Sequence, residues 1–416
     1  RDFTMEGYNK KVIMSYWTIC RMKTTKKIYV KVSIIFLLGG ILLFSSCEKE
    51  ENQKIEANRK TLFMYLPWSS NLTNYFYNNI SDLEKCITKI GLNNEKVIVF
   101  ISTGSTEAMM FEIVSSHGRC KREILKKYKS PPFTTIDGIT AILNDVKAFA
   151  PASVYTMIIG CHGMGWLPVY EMKVRSAPHM KMHWEYQGVP LTRYFGGLTA
   201  EYQTDIKSLA SGIANAGMKM EYILFDDCYM SSIEVAYELK DVTKYLIGST
   251  SEMMAYGMPY AAIGEYLLGN PDYQSGCEEF YNFYSTYEIM PCGTLAVTDC
   301  SELENMAAII KSINSKYSFD KSLRGTIQRL DGYTPVIFYD FADYITSLCN
   351  DPILLNQFRE QLNHLVPYKT HTKNFYTMAK GIIPINTFSG ITTSDPSDNP
   401  MTVLKENTLW YKAAHN

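Results

Sequence analysis

The sequence predicts an α/β fold in which a mostly parallel sheet carries helices on both faces. Two observations carry this expectation. Segments of strand length alternate with segments of helical period from residue 61 to about residue 300, and the strand segments are apolar throughout. Strands buried on both faces read as continuous apolar runs, and strands separated by helices pair in parallel.

In chain order, residues 61–66 form a buried strand closed by Pro67 and a polar turn. Residues 79–90 have helical spacing, with Ile80, Leu83, Ile87 and Ile90 on one face and Gly91 as the stop. Residues 96–101 are a second strand, and 111–114 a short third one, a candidate edge. Ile139, Ile142, Leu143 and Val146 mark a helix over 135–149. Strands follow at 154–159 and 220–225, then a helix at 230–239 and strands at 245–248 and 294–298. Beyond Ser301 the pattern is mainly helical, with a late strand near 336–338. Residues 168–204 have no clear period, and a connection that long inside a compact domain is usually functional or mobile.

Composition narrows the function classes. A 416-residue chain with 46% hydrophobic and 20% charged residues suits one large or two ordinary domains with a sizeable core. The net charge of -1 gives no attraction to nucleic acid, and none is expected as a partner. No zinc spacing, Walker loop or dinucleotide fingerprint is present, so no metal and no cofactor is expected. His179 and His183 lie four apart, but Pro178 and the absence of helical period make them loop residues.

The first sixty residues read as targeting sequence. Met22 opens a basic stretch, and residues 34–44 are an apolar run too short to span a membrane. Ser45-Ser46-Cys47 follows and resembles a bacterial lipoprotein box, although Phe44 departs from the usual aliphatic residue. The expected organisation is upstream non-native sequence over 1–21, a lipoprotein signal over 22–47 and a flexible tether over 48–60. Cys47 would carry the lipid, anchoring the chain to the bacterial cell envelope, with the outer-membrane surface suggested by Lys49-Glu50-Glu51. The alternative is a plain secretory signal. Apart from Cys20 and Cys47, eight cysteines are scattered without framework spacing and read mostly as buried small hydrophobes.

Two strand ends carry reactive groups. IIGCHGMGW places His162 just past the strand at 154–159, and ILFDDCYMSS places Asp226, Asp227 and Cys228 just past the strand at 220–225. Ligands of open parallel sheets bind outside the carboxyl ends of the strands. If these strands are neighbours, His162 and Cys228 share that crevice. A thiolate is a nucleophile, and a nearby imidazole lowers the thiol pKa or takes its proton. The N–H of Gly163 could join that of Cys228 in holding an oxyanion, and a helix starting near Met230 would favour the thiolate.

CHGMGW followed by FDDCYMSSIEVAYEL resembles the clostripain family of cysteine peptidases, in the clan of caspases, legumains and gingipains. LFMYLPWSSNL, with Ser69 or Ser70 in place of a common aspartate, IGSTSEMMAYGMPY and VIFYDFADYI extend the resemblance over about residues 61–416. It implies a caspase-like α/β/α sandwich over 61–300 with a mainly helical extension over 301–416 packed on it. It also implies cleavage after Arg or Lys by a Cys-His dyad. Cys228 is then the nucleophile, His162 the general base or acid, Gly163 an oxyanion donor, and Asp226 the carboxylate facing the basic side chain.

Asp227 stands where the family has a small residue and reads as a solvated turn residue, the alternative being that it adds negative potential to the site. The family cuts itself at a basic residue between histidine and cysteine, which makes Lys173, Arg175, Lys181 and Arg193 candidates, against an exposed, uncut loop. Some members depend on calcium, but no ligand spacing here supports it. The expected partners are protein or peptide substrates with Arg or Lys, and a monomer is expected. The competing readings are a catalytically silent surface-binding lipoprotein of the same fold and a peptidase of non-basic specificity.

Overall fold

The computed structural model describes residues 58–169, 187–193 and 200–415. Cys47, Lys173, Arg175, Lys181, His179 and His183 lie outside the described residues.

The chain opens with β1 (Asn58–Leu66), α1 (Thr73–Ile90), β2 (Glu95–Gly104), β3 (Glu107–Ser116) and β4 (Arg119–Lys129). It continues through α2 (Ile136–Phe149), β5 (Ala152–Ile159), α3 (Ile206–Asn215), β6 (Met220–Phe225), α4 (Ile233–Leu239) and β7 (Thr243–Gly248). Helices α5 (Tyr260–Leu267) and α6 (Tyr273–Ser285) lead to β8 (Thr294–Asp299) and α7 (Leu303–Asn314). The remainder holds β9 (Tyr339–Asp340), α8 (Phe341–Leu348), α9 (Pro352–Leu365), β10 (Tyr368–His371), β11 (Asn374–Thr377), β12 (Gly381–Pro384), β13 (Thr392–Thr393) and α10 (Leu409–His415).

Nine strands form one sheet in the order β10-β8-β7-β6-β5-β1-β2-β3-β4. The five central strands, β7 to β2, are parallel. Antiparallel pairs extend the sheet on either side. The fold is therefore α/β with a mixed, mostly parallel sheet. The central strands are the continuous apolar runs of the sequence, and Ile98 to Ile101 and Tyr222 to Phe225 are buried on both faces. Helices α1, α5 and α6 pack in one layer, and α2, α3, α4, α10, α7 and α9 follow one another in a second. Right-handed crossovers leaving β1 in opposite directions place their helices on opposite faces. The last hundred residues are joined to the rest through β10, which pairs with β8, through the bridge of Thr392 to Ser232, and through buried hydrogen bonds such as Ser394 N–H to Glu234.

Several elements differ from the periodicity. Helix α1 starts at Thr73, six residues early, because its first turns carry polar residues on the outer face. The third strand is longer and lies inside the sheet, and β4, which the sequence does not announce, is the edge. Six Lys and Arg residues hide its β pattern, and such charges are tolerated on an edge strand with one solvated side. The late strand is displaced to β9; Ile337 and Phe338 are buried in the loop before it, where their N–H groups donate to Asp331 Oδ2.

The helix after Cys228 begins at Ile233 instead of Met230, because Ser232 caps it by accepting from the Val235 N–H. Its start is five residues past the cysteine. Among the described residues no helix is long and apolar enough to cross a membrane.

Replacing Ser232 by Ala should cost about 1 kcal/mol, the usual worth of an N-cap. Urea unfolding should show a lower midpoint at unchanged slope; an unchanged midpoint would remove Ser232 from the account of why α4 starts there.

Candidate active site

Strands β5 and β6 are parallel neighbours with Ile159 paired to Phe225, and the Asp226 N–H donates to the Ile159 carbonyl at 2.8 Å. The two strands thus end level. His162 and Cys228 each lie three residues beyond the paired positions, on adjoining loops. The loops touch at Gly163, where a β-carbon would sit 2.3 Å from the Cys228 carbonyl oxygen and 2.9 Å from its nitrogen. Glycine is required there by close approach of backbone to backbone. His162 is buried, and its Nε2 lies 2.9 Å from Asn71 Oδ1. Asn71 comes from the turn after β1, a turn visible in the sequence but without an assigned role.

Cys228 is fully buried, and its Sγ accepts from the Met253 N–H at 3.2 Å. Burial pushes the thiol well above its ordinary value, and the nearby Glu252 carboxyl pushes the same way. The next residue, Tyr229, has φ +64°, an uncommon conformation for a bulky residue, costing on the order of 1–2 kcal/mol. It is held by stacking on Phe338, by its N–H to the Ser251 carbonyl, and by its hydroxyl to Glu252 Oε1 at 2.9 Å.

Asp226 is buried and faces a cation of the same chain. The Arg193 Nη1 lies 3.1 Å from Asp226 Oδ2 and donates to the Asp226 carbonyl at 2.7 Å. Tyr260 Oη and the Met258 N–H complete the carboxylate's partners, each at 2.9 Å. Burial pushes the Asp226 carboxyl up, with Arg193 and these donors pulling against it. The Arg193 Nη2 donates to Asn79 Oδ1 at 2.6 Å, and the guanidinium lies 5.4 Å from the Phe76 ring centre. Gly257, at φ +80°, forms the wall; a β-carbon there would overlap the guanidinium. Asn79 escapes sequence reading because it sits among apolar residues of a helix and shows no motif.

The backbone around Arg193 is also engaged. Its N–H donates to the Met253 carbonyl at 2.7 Å, Thr192 bridges Met254 in antiparallel fashion, and the Ala255 N–H donates to the Leu191 carbonyl at 2.9 Å. Met253 therefore touches the Cys228 sulfur with its N–H and Arg193 with its carbonyl. Arg193 is 0% exposed, which excludes the exposed-loop reading for this residue.

Asp227 is corrected as well. It is 1% exposed, so it is not a solvated turn residue. Its Oδ1 accepts from the Cys161 N–H at 2.6 Å, and its Oδ2 from the Cys161 thiol at 3.2 Å. It ties the loop of His162 to the loop of Cys228. All eight cysteines among the described residues are free. Among the described residues no group of three or more His, Cys, Asp or Glu side chains is placed to hold a metal ion.

A mostly parallel α/β sheet of nine strands among the described residues, with Cys228 and His162 on touching loops past two neighbouring strand ends, has the form of one class: a cysteine peptidase of caspase-like fold. The family profile described as the clostripain family matches residues 64–393, and the chain belongs to that family. A secreted C11 cysteine protease from Bacteroides thetaiotaomicron, "iotapain", is 58% identical over 86% of this chain and 99% of its own, with a TM-score of 0.80. A clostripain from Bacteroides thetaiotaomicron in complex with the peptide inhibitor BTN-VLTK-AOMK is 65% identical over 53% of this chain and 99% of its own, with a TM-score of 0.52. An inactive zymogen C11 protease from Parabacteroides distasonis is 25% identical over 86% of this chain and 98% of its own, at a TM-score of 0.71. No curated protein matches the chain.

The buried carboxyls set a pH dependence of stability. Burial pushes Asp227 up to about 7 from 3.8, and Glu252 and Glu234 up to about 7 from 4.5. Between roughly pH 4 and pH 7 the folded chain therefore holds protons that the unfolded chain has released, so stability falls as pH rises through that window. Scanning calorimetry should give a higher Tm at pH 5 than at pH 8, with a shallower fall for Asp227→Asn. A Tm that climbs from pH 5 to pH 8 would contradict this.

Proposed function

We propose that the chain is an exported, lipid-anchored cysteine endopeptidase that cleaves after Arg or Lys and processes itself after Arg193. One observation carries the reading. Residues 191–193 lie antiparallel along residues 253–255, with the Arg193 guanidinium on the buried Asp226 carboxylate and the Arg193 N–H on Met253, the same residue whose N–H meets the Cys228 sulfur. A peptide about to be cut after arginine would occupy the same groove. Burying a cation is costly unless a carboxylate meets it, which gives the pocket its selectivity.

The inhibitor bound to the Bacteroides thetaiotaomicron clostripain supports the reading, because its VLTK sequence ends in Leu-Thr-Lys where this chain has Leu191-Thr192-Arg193. Its secreted relative supports export, and the lipoprotein-like box at Cys47 supports the anchor. Lys173, Arg175 and Lys181 lie outside the described residues and remain competing cleavage positions; Arg193 sits against the Asp226 carboxylate.

In this scheme Cys228 Sγ attacks the scissile carbonyl and its proton passes to His162, which Asn71 holds in place. Burial pushes the Cys228 thiol up in the folded chain, and His162 takes its proton as the sulfur attacks. The carbonyl oxygen, now anionic, receives the N–H groups of Gly163 and Cys228. His162 then protonates the leaving amine, the carbon–nitrogen bond breaks, and a thioester remains. Water, deprotonated by His162, attacks the thioester carbonyl and releases the carboxylate and the thiol.

Two experiments test this. Wild type should run as two chains with a new N-terminus at Tyr194, whereas Cys228→Ala and Arg193→Ala should each run as one. Cleavage of Cys228→Ala, or a new N-terminus elsewhere, would overturn self-processing after Arg193. Asp226→Asn should lower kcat/KM on an arginyl reporter by about 100-fold, in line with a lost buried ion-pair partner. Equal losses on arginyl and norleucyl reporters would remove Asp226 from the specificity pocket.

A further inference from the structure

Three buried carboxyls lie past the ends of β5, β6 and β7, and two of them hold the chain's own segment. Asp226 meets Arg193, Glu252 accepts from Thr192 Oγ1 at 2.6 Å, and Tyr376 Oη donates to the Pro190 carbonyl at 3.1 Å. Asp227 turns the other way and brackets His162. One residue before the histidine, the Cys161 N–H and thiol both donate to the Asp227 carboxylate, at 2.6 Å and 3.2 Å. One residue after it, Gly163 packs on Asp227 itself: a β-carbon at Gly163 would lie 2.8 Å from Asp227 Cβ. The bracket adjoins the cation pocket, because Arg193 Nη1 donates to the Asp226 carbonyl, in the peptide unit that leads into Asp227.

We propose that Asp227 is a positioning residue of the peptidase reaction, clamping the His162 loop so that the imidazole and the Gly163 N–H are aimed at the carbonyl that Cys228 attacks. This rests on His162 and Cys228 acting as the dyad. Asp227 works through the loop and needs no contact with substrate. The Cys161 N–H is a backbone atom one residue from His162, so a fixed acceptor there fixes where the imidazole starts. Reacting groups are productive only when their supporting contacts hold them within a fraction of an ångström. A shift of about 1 Å costs roughly 100-fold in rate. Alanine at 227 offers no acceptor, whereas asparagine keeps one oxygen for the Cys161 N–H. Of the two contacts, the thiol is the lesser, since it ends a side chain and sets no backbone position.

The test compares wild type with Asp227→Ala, Asp227→Asn and Cys161→Ala on the arginyl reporter after processing. For a variant that stays one chain, the first-order rate of self-processing is read in place of kcat. Asp227→Ala should lower kcat by about 100-fold with KM within about two-fold of wild type, Asp227→Asn should recover at least about ten-fold of that loss, and Cys161→Ala should stay within about five-fold of wild type. A wild-type kcat in Asp227→Ala, or a raised KM at unchanged kcat, would overturn the positioning role. If asparagine is no better than alanine, the oxygen on the Cys161 N–H is not the working contact and the clamp fails. Activity in Cys228→Ala would instead overturn the dyad on which the clamp rests. Should Asp227→Ala not fold, Asp227→Glu takes its place: it keeps the charge and moves the carboxylate by one methylene. The same loss of kcat at unchanged KM is then expected, and a wild-type kcat would reject the clamp.

Discussion

The candidate site depends on the parallel pairing of β5 with β6 in the register that sets Ile159 against Phe225. With both strands ending level, His162 and Cys228 each lie three residues past the paired positions, on loops that touch. A slip of one residue would exchange the faces of every side chain on the slipped strand and break this placement. Two further contacts keep the loops from drifting apart. Gly163 lies directly on the Cys228 backbone, and Asp227 grips the Cys161 N–H and thiol.

Around that pairing, the chain buries an unusual number of carboxyl groups where strands end. Asp226, Asp227 and Glu252 are all nearly inaccessible, and each is partly compensated by donors from the loops it organises. Their cost is visible as carboxyls pushed up by burial. Their chemical use differs. Asp226 meets a guanidinium, Asp227 joins two loops, and Glu252 receives the hydroxyl of Thr192. A site that stores unfavourable burial in this way gives up some stability for polar groups aimed in fixed directions.

The catalytic family was legible in the sequence because the clostripain-like motifs are local. CHGMGW and FDDC each occupy a strand end that the apolar runs announce. Asn71, Asn79, Glu252 and Tyr376 were not assigned, since each reaches the site from a distant part of the chain and none belongs to a spacing pattern. Asp227 was misjudged for a related reason: a turn in sequence looks solvated, and only the packing of the neighbouring loop covers it. Among the four basic candidates, the sequence had no means of ranking Arg193, because its burial comes from residues 76, 79, 226 and 257.

By itself the sequence determined the strand order of polarity, the two reactive strand ends and the carboxylate two residues before the cysteine, all of which are local. Tertiary structure alone decided that those ends are neighbours, that Arg193 faces Asp226 and that Thr192 faces Glu252. Pairing between segments tens of residues apart depends on the closure of the whole sheet, and no single stretch of chain encodes it.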